Sequence, residues 1–81
     1  MLTPLSQLQK GQTAIIRRID ASDSLVQLME MGFLDGHMII VDHIAPLGDP
    51  MAINVAGYVL SIRKAEAATI WVELAPTQEP V

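Results

Sequence analysis

Short β-branched and apolar runs, separated by glycine or proline turns, dominate this sequence from residue 37 onward. The runs are HMIIVDHI, MAINVA, YVLSI and TIWVEL, and an earlier run, QTAIIRRID, resembles them. Runs of this composition bounded by turn residues are typical of β-strands. Because a chain of 81 residues can bury only one thin core, these five strands are expected to share it.

Helical segments are predicted to be few and short. Leu25, Leu28 and Met29 recur at helical spacing before Gly32, which favours one helix over about residues 22–31. The segments TPLSQL and RKAEAA each suit a single helical turn. The sequence therefore predicts a mainly β fold, a small and partly open SH3-like barrel of about five strands with one short α-helix and short helical turns.

The chain is expected to form one domain over residues 1–74. The following segment, APTQEPV, has two prolines and no apolar periodicity, so residues 75–81 are predicted to be a disordered tail. No internal repeat divides the rest of the sequence.

Charge and residue usage exclude several classes of function. Nine acidic against five basic side chains give a formal net charge of −4, which disfavours nucleic-acid binding. The absence of cysteine fits a reducing, cytoplasmic compartment. The longest aliphatic run, MIIV, is far too short for membrane insertion. Hydrophobic residues make up 51% of the chain, so some apolar surface is expected to remain exposed for a partner or for homo-oligomer formation.

The segment APLGDP, residues 45–50, is typical of a hairpin loop. Gly48 can adopt positive φ, and Asp49 is expected to accept hydrogen bonds from amides of its own turn. Pro50 suits the first position of the returning strand. Turn chemistry does not explain Leu47, an apolar residue at the tip, unless its side chain folds back onto the barrel.

Three side chains of metal-ligand type lie near this loop. His37 and His43 would be roughly 20 Å apart on one extended strand. Asp42 and His43 are adjacent, so they are expected to point to opposite faces. A metal site within one chain is therefore not expected, whereas a site between chains stays open. No catalytic elbow or phosphate-binding loop is present, so an enzyme is not predicted.

From residue 5 to about residue 74, the chain resembles the ferrous iron transport protein A (FeoA) family. The features that carry this resemblance are LMEMG, Gly36, APLGDP, Gly57-Tyr58, SIRK and AEAATI. The resemblance implies an SH3-like barrel and a cytosolic accessory role beside FeoB, a membrane ferrous iron transporter with a cytosolic GTP-binding region. Asp35 stands where family members often have proline, and Ala56 where they often have a basic residue.

The resemblance leads to a hypothesis for the contact residues. Leu47, Gly48, Asp49 and Pro50 are expected to contact the transporter, and a second choice is the helical pair Leu28 and Met29. Two alternatives remain open. One is direct binding of Fe²⁺ or a similar transition metal ion through His37, Asp42 or His43, and the other is self-association.

Overall fold

The computed structural model describes residues 1–75, which form six β-strands and three short helical segments. In chain order the elements are β1 (Thr3–Pro4), a 3-10 turn (Leu5–Gln7), β2 (Thr13–Ile19), α1 (Leu25–Glu30), β3 (Met38–Ile44), β4 (Met51–Val55), β5 (Tyr58–Ile62), α2 (Lys64–Ala67) and β6 (Ile70–Leu74). No helix within residues 1–75 is long and apolar enough to cross a membrane.

All six strands belong to one antiparallel sheet with the order β1-β6-β2-β3-β4-β5. The strands β1 and β5 lie at the two edges and do not pair with each other, so the barrel is open. This architecture confirms the predicted SH3-like class. The expectation of about five strands missed β1, because two residues are too few to carry a periodic pattern.

The core lies on the inner face of the curved sheet, where alternate strand residues point inward. In β3, for example, Ile39 and Val41 are fully buried while Met38 and Ile40 are exposed. Every buried side chain in the described residues is hydrophobic. The largest of them are Phe33, Leu5, Ile16, Leu28, Ile39, Met51, Ile53, Ile62 and Ile70.

Two strands carry irregularities that change the direction of their side chains. The register of β2 against β6 shifts between Ile16 and Arg18. The register of β3 against β4 shifts between Val41 and His43. Bulges of this kind bend a strand and re-aim the side chains that follow.

Helix α1 is shorter than the predicted span of residues 22–31. It begins later because residues 22–24 form a separate turn, in which the amide of Leu25 donates to the carbonyl of Ser22 at 3.2 Å. At its end, Gly32 adopts a φ of +111°. The Gly32 and Phe33 amides donate to the carbonyls of Met29 and Leu28, both at 3.1 Å, which is a Schellman motif. The predicted glycine stop is therefore confirmed.

The single tryptophan lies where β6 meets β2. The Trp71 indole Nε1–H donates to Asp20 Oδ2 at 2.9 Å, and the Arg18 guanidinium carbon lies 4.9 Å from the ring centroid. Beyond β6, the amide of Ala75 donates to the Thr13 carbonyl at 3.0 Å, so the pairing with β2 continues past the predicted domain end at residue 74. The rest of the predicted tail, residues 76–81, lies outside the described residues.

Candidate functional site

The loop between β3 and β4, residues 45–50, is named the tip loop here, and its backbone is fixed by two hydrogen bonds. The amide of Gly48 donates to the Ala45 carbonyl at 2.7 Å, and the amide of Ala45 donates to the Pro50 carbonyl at 3.1 Å. Gly48 has a φ of +89°, which glycine adopts without a Cβ penalty. The tip loop is therefore a closed turn, as its composition predicted.

Asp49 does not play the local role expected from the sequence. Its Oδ1 accepts a hydrogen bond at 2.9 Å from the amide of Lys64, the first residue of α2. The amides of a first helical turn have no partner within the helix, so a carboxylate there satisfies an otherwise unpaired donor. Glu66 Oε1 accepts in the same way from the Arg63 amide at 3.0 Å. Asp49 thus ties the tip loop to the start of α2.

Leu47 is almost fully exposed at the centre of the tip loop. Its side chain is 95% exposed, so the alternative that it folds back onto the barrel is wrong. Because Gly48 and Asp49 are held by backbone and helix contacts, Leu47 is presented on a backbone whose shape is already set. The backbone of such a loop loses little conformational freedom when a partner covers the leucine side chain.

Two open depressions border the tip loop. One, of about 450 Å³, is mostly apolar, and the other, of about 350 Å³, is more polar. Pro50 and Ser61 line both of them. The apolar depression is also lined by His43, Ile44, Pro46, Ala52 and Val59, and the polar one by Asp49, Ile62, Arg63 and Glu66. Leu47 is therefore a protruding apolar side chain with concave surface nearby.

The structure separates the two residues of the predicted helical contact. Leu28 is fully buried in the core, so its choice as a contact residue is wrong. Met29 is 45% exposed. Val26, which is 66% exposed and three residues earlier on α1, lies on the same side of the helix and was missed. Helical spacing groups residues on a face, but it does not say which face meets the core.

The candidate metal ligands are also rearranged. His43 Nδ1 lies 2.8 Å from Asp42 Oδ2, so the expectation that these neighbours point to opposite faces is wrong. The register shift after Val41 is the reason, because it breaks the alternation on which the expectation depended. His37 is engaged elsewhere, with Nδ1 3.0 Å from the Gly32 carbonyl. Within residues 1–75, no three side chains of ligand type come together.

An adjacent Asp42 and His43 give at most two ligands, whereas structural zinc sites use four. These residues do not by themselves fit a closed metal site. A site that included them would need ligands from another chain.

Comparison with known proteins gives this geometry a family context. A model of the FeoA domain matches residues 3–74. The chain belongs to the FeoA family. FeoA proteins are involved in ferrous iron transport, which confirms the resemblance in the sequence.

One relative joins a FeoA domain to a transporter in a single polypeptide. The Fe(2+) transport protein A/Fe(2+) transporter FeoB fusion protein of Porphyromonas gingivalis is 39% identical over 71 residues, covering 86% of this chain. The chain spans 8% of the length of that relative.

Solved FeoA structures share the fold. The FeoA-like protein of Clostridium acetobutylicum aligns with a TM-score of 0.87 and 30% identity over 99% of this chain and 94% of its own. The FeoA protein of Stenotrophomonas maltophilia, solved in complex with zinc and described as a prokaryotic SH3 domain protein, aligns with a TM-score of 0.76 and 25% identity over 88% and 89% of the two chains.

Proposed function

We propose that this FeoA domain is a non-enzymatic, cytoplasmic accessory module of ferrous iron uptake. It contacts the cytosolic GTP-binding region of an FeoB-type transporter through the tip loop and modulates the assembly of the transporter or its GTP-linked transport. The observation that carries this proposal is Leu47, 95% exposed on a loop closed by its own backbone.

The fusion protein of Porphyromonas gingivalis supports the choice of partner. Joining two domains in one chain raises their effective concentration, which is useful when the domains act on each other.

The roles within the tip loop follow from its contacts. Leu47 supplies the apolar side chain that enters the partner, and burial of one leucine contributes roughly 1.5 to 3 kcal/mol. Asp49 and Gly48 hold the loop in shape, and Pro50 borders the depressions that would receive partner side chains. A pre-set backbone favours binding because it lowers the ordering cost that the contact must offset.

The described residues show no enclosed site of the kind that catalysis usually requires, which supports a non-enzymatic role. No titratable side chain there is buried, and the depressions beside the tip loop are open to solvent. Catalytic groups usually gain their reactivity from burial or from close charged neighbours in an enclosed site.

Anaerobic titration calorimetry of this chain against the isolated cytosolic region of FeoB, with and without guanine nucleotide, tests the proposal. We expect binding by the unsubstituted chain, and Leu47→Asp should weaken it roughly 30-fold or more, the effect of a hot spot of about 2 kcal/mol. Met38→Asp is the matched control, because Met38 is 56% exposed at the opposite end of β3 from the tip loop.

Three outcomes would contradict different parts of the proposal. Undiminished binding by a folded Leu47→Asp variant would remove the tip loop from the contact and make Met29 the next residue to substitute. Absence of binding by the unsubstituted chain would exclude this partner. Stoichiometric binding of Fe²⁺ without a protein partner would instead favour a metal ion held by Asp42, His43 and ligands from another chain.

A further inference from the structure

In the described part of the chain, one of the two hydrogen-bonding edges of strand β5 has no partner strand. Within residues 1–75 it pairs only with β4, and it ends the strand order of the sheet. Its sequence, YVLSI, contains no proline and no charged residue. Proteins usually protect such edges with lysine, proline or a bulge, because an unprotected edge readily pairs with another strand.

The hairpin turn before β5 determines which backbone groups face outward. Ala56 and Gly57 have φ values of +54° and +84°, the conformation of a two-residue type I′ turn. In such a hairpin the flanking residues Val55 and Tyr58 form a hydrogen-bonded pair, and the pattern alternates along the strand. The amides and carbonyls of Val59 and Ser61 therefore point away from β4.

We propose that the β5 edge pairs with the β5 edge of a second copy of this chain. The two strands run antiparallel about a two-fold axis at Leu60. In this register Val59 lies opposite Ser61 of the second copy, and each such pair exchanges both of its backbone hydrogen bonds. The outward groups of both copies are then satisfied, and the two open sheets become one continuous sheet.

The charges next to β5 are compatible with this register. The nearest basic residues are Arg63 and Lys64, which follow the strand. Opposite them in the second copy lie Gly57 and Ala56, which carry no charge, so no like charges face each other along the pair. The side chains of the strand also fit this register without crowding, since Val59 meets the small Ser61 and Leu60 meets its own copy. This self-complementarity is the reason to choose a second copy over an unrelated strand.

The outer face beside this edge is apolar enough to add to the contact. Val59 is 53% exposed and borders the apolar depression of about 450 Å³ that Ala52 and Pro46 also line. A pair of five-residue strands nevertheless buries less than the roughly 1,200 Å² of stable complexes. We therefore expect a dissociation constant on the order of 0.1 to 1 mM.

Sedimentation velocity from about 20 µM to about 1 mM protein tests the proposal. We expect the dimer fraction of the unsubstituted chain to rise with concentration.

Ser61→Pro removes one outward donor without removing a bond to β4, and Ser61→Ala is its matched control, which keeps the donor. Val59→Lys places a charge on the edge, and Val26→Lys places the same charge on α1. Ser61→Pro and Val59→Lys should each weaken dimerisation at least roughly tenfold, and the two controls should not.

A thiol cross-link tests the register directly, because the chain has no cysteine of its own. In the proposed register, the two Leu60 residues form a non-hydrogen-bonded pair. The Cα separation of such a pair is about 4.5 Å, which suits a disulfide. Leu60→Cys should therefore form dimers under mild oxidation far faster than Val26→Cys. Circular dichroism of every variant shows whether it remains folded.

Several results would overturn the proposal. One is a chain that stays monomeric at about 1 mM, and another is a dimer that neither folded Val59→Lys nor Ser61→Pro weakens. A monomeric chain whose binding to the FeoB cytosolic region is weakened by Ser61→Pro would assign the edge to a strand of that partner. Because self-pairing requires no transporter, this test can fail while the proposed role of Leu47 stands, and the reverse also holds.

Discussion

The two edges of the six-stranded sheet end in different ways. At one edge, β1 has two residues, one of which is Pro4, and the chain then turns into a 3-10 segment anchored by the fully buried Leu5. At the other edge, β5 has five residues without proline or charge. The same fold therefore blunts one edge and leaves the other able to pair.

The protection at the first edge comes from local features, since proline lacks the donor that another strand would use and a short strand offers few groups. At the second edge, strand β5 itself carries no such protection. The nearest structural constraint follows the strand, where Asp49 ties the start of α2 to the tip loop. The end of β5 and the tip loop are thus mechanically connected, whereas β1 is connected to the core. Substitutions at the two edges should therefore change the free energy of unfolding by different amounts.

The largest expected effect comes from removing the anchor of the protected edge. Leu5→Ala should lower the free energy of unfolding by about 2 to 5 kcal/mol, because it leaves a cavity below β1. Urea denaturation followed by circular dichroism measures the change. Leu47→Ala is the control, since it makes the same change at a leucine that is 95% exposed and should change stability little. A loss below about 1 kcal/mol in Leu5→Ala would show that the core does not hold this edge.

A smaller effect is expected where the tip loop meets α2. Asp49→Ala removes the acceptor of the Lys64 amide, and we expect a loss of about 0.5 to 1.5 kcal/mol in the free energy of unfolding. The matched control is Asp35→Ala, because the carboxylate of Asp35 has no hydrogen-bond partner among residues 1–75. Equal stability of the two variants in urea denaturation would mean that the link between the tip loop and α2 contributes nothing.

The smallest effect is a gain at the unprotected edge. Ala56 has a φ of +54°, which is unfavourable for alanine but common for asparagine in a type I′ turn. Ala56→Asn should raise the free energy of unfolding by roughly 0.5 to 1 kcal/mol. Gly57→Ala, at a φ of +84°, should have the opposite sign. Thermal melts of both variants measure the difference, and a destabilised Ala56→Asn would show that this turn does not limit the hairpin.

Much of the fold could be predicted because its signals are local. The β-branched runs and the turns between them specify β2 to β6, and the leucine spacing before Gly32 specifies α1. Strand β1 could not be predicted in this way, because it is held by pairing with β6 rather than by any pattern of its own.

The errors at the candidate site share one cause: each feature depends on tertiary structure and not on a local sequence pattern. The bond from the Lys64 amide to Asp49 joins residues 15 apart in the sequence, and no spacing rule predicts it. The contact between Asp42 and His43 depends on a bulge, which breaks the alternation of an ideal strand. The burial of Leu28 depends on how α1 is rotated against the sheet. Exposure of Leu47, in contrast, follows from its place at the centre of a short turn.

The position of the aromatic residues determines what optical spectroscopy can observe in this protein. Its single tryptophan, Trp71, is held between Asp20 and Arg18 where β6 meets β2, and its single tyrosine, Tyr58, begins the β5 edge. Tryptophan emission will therefore follow the separation of β2 from β6 during unfolding, while events at β5 will be reported mainly by Tyr58. The chain thus carries separate natural fluorophores for its folding and for its edge.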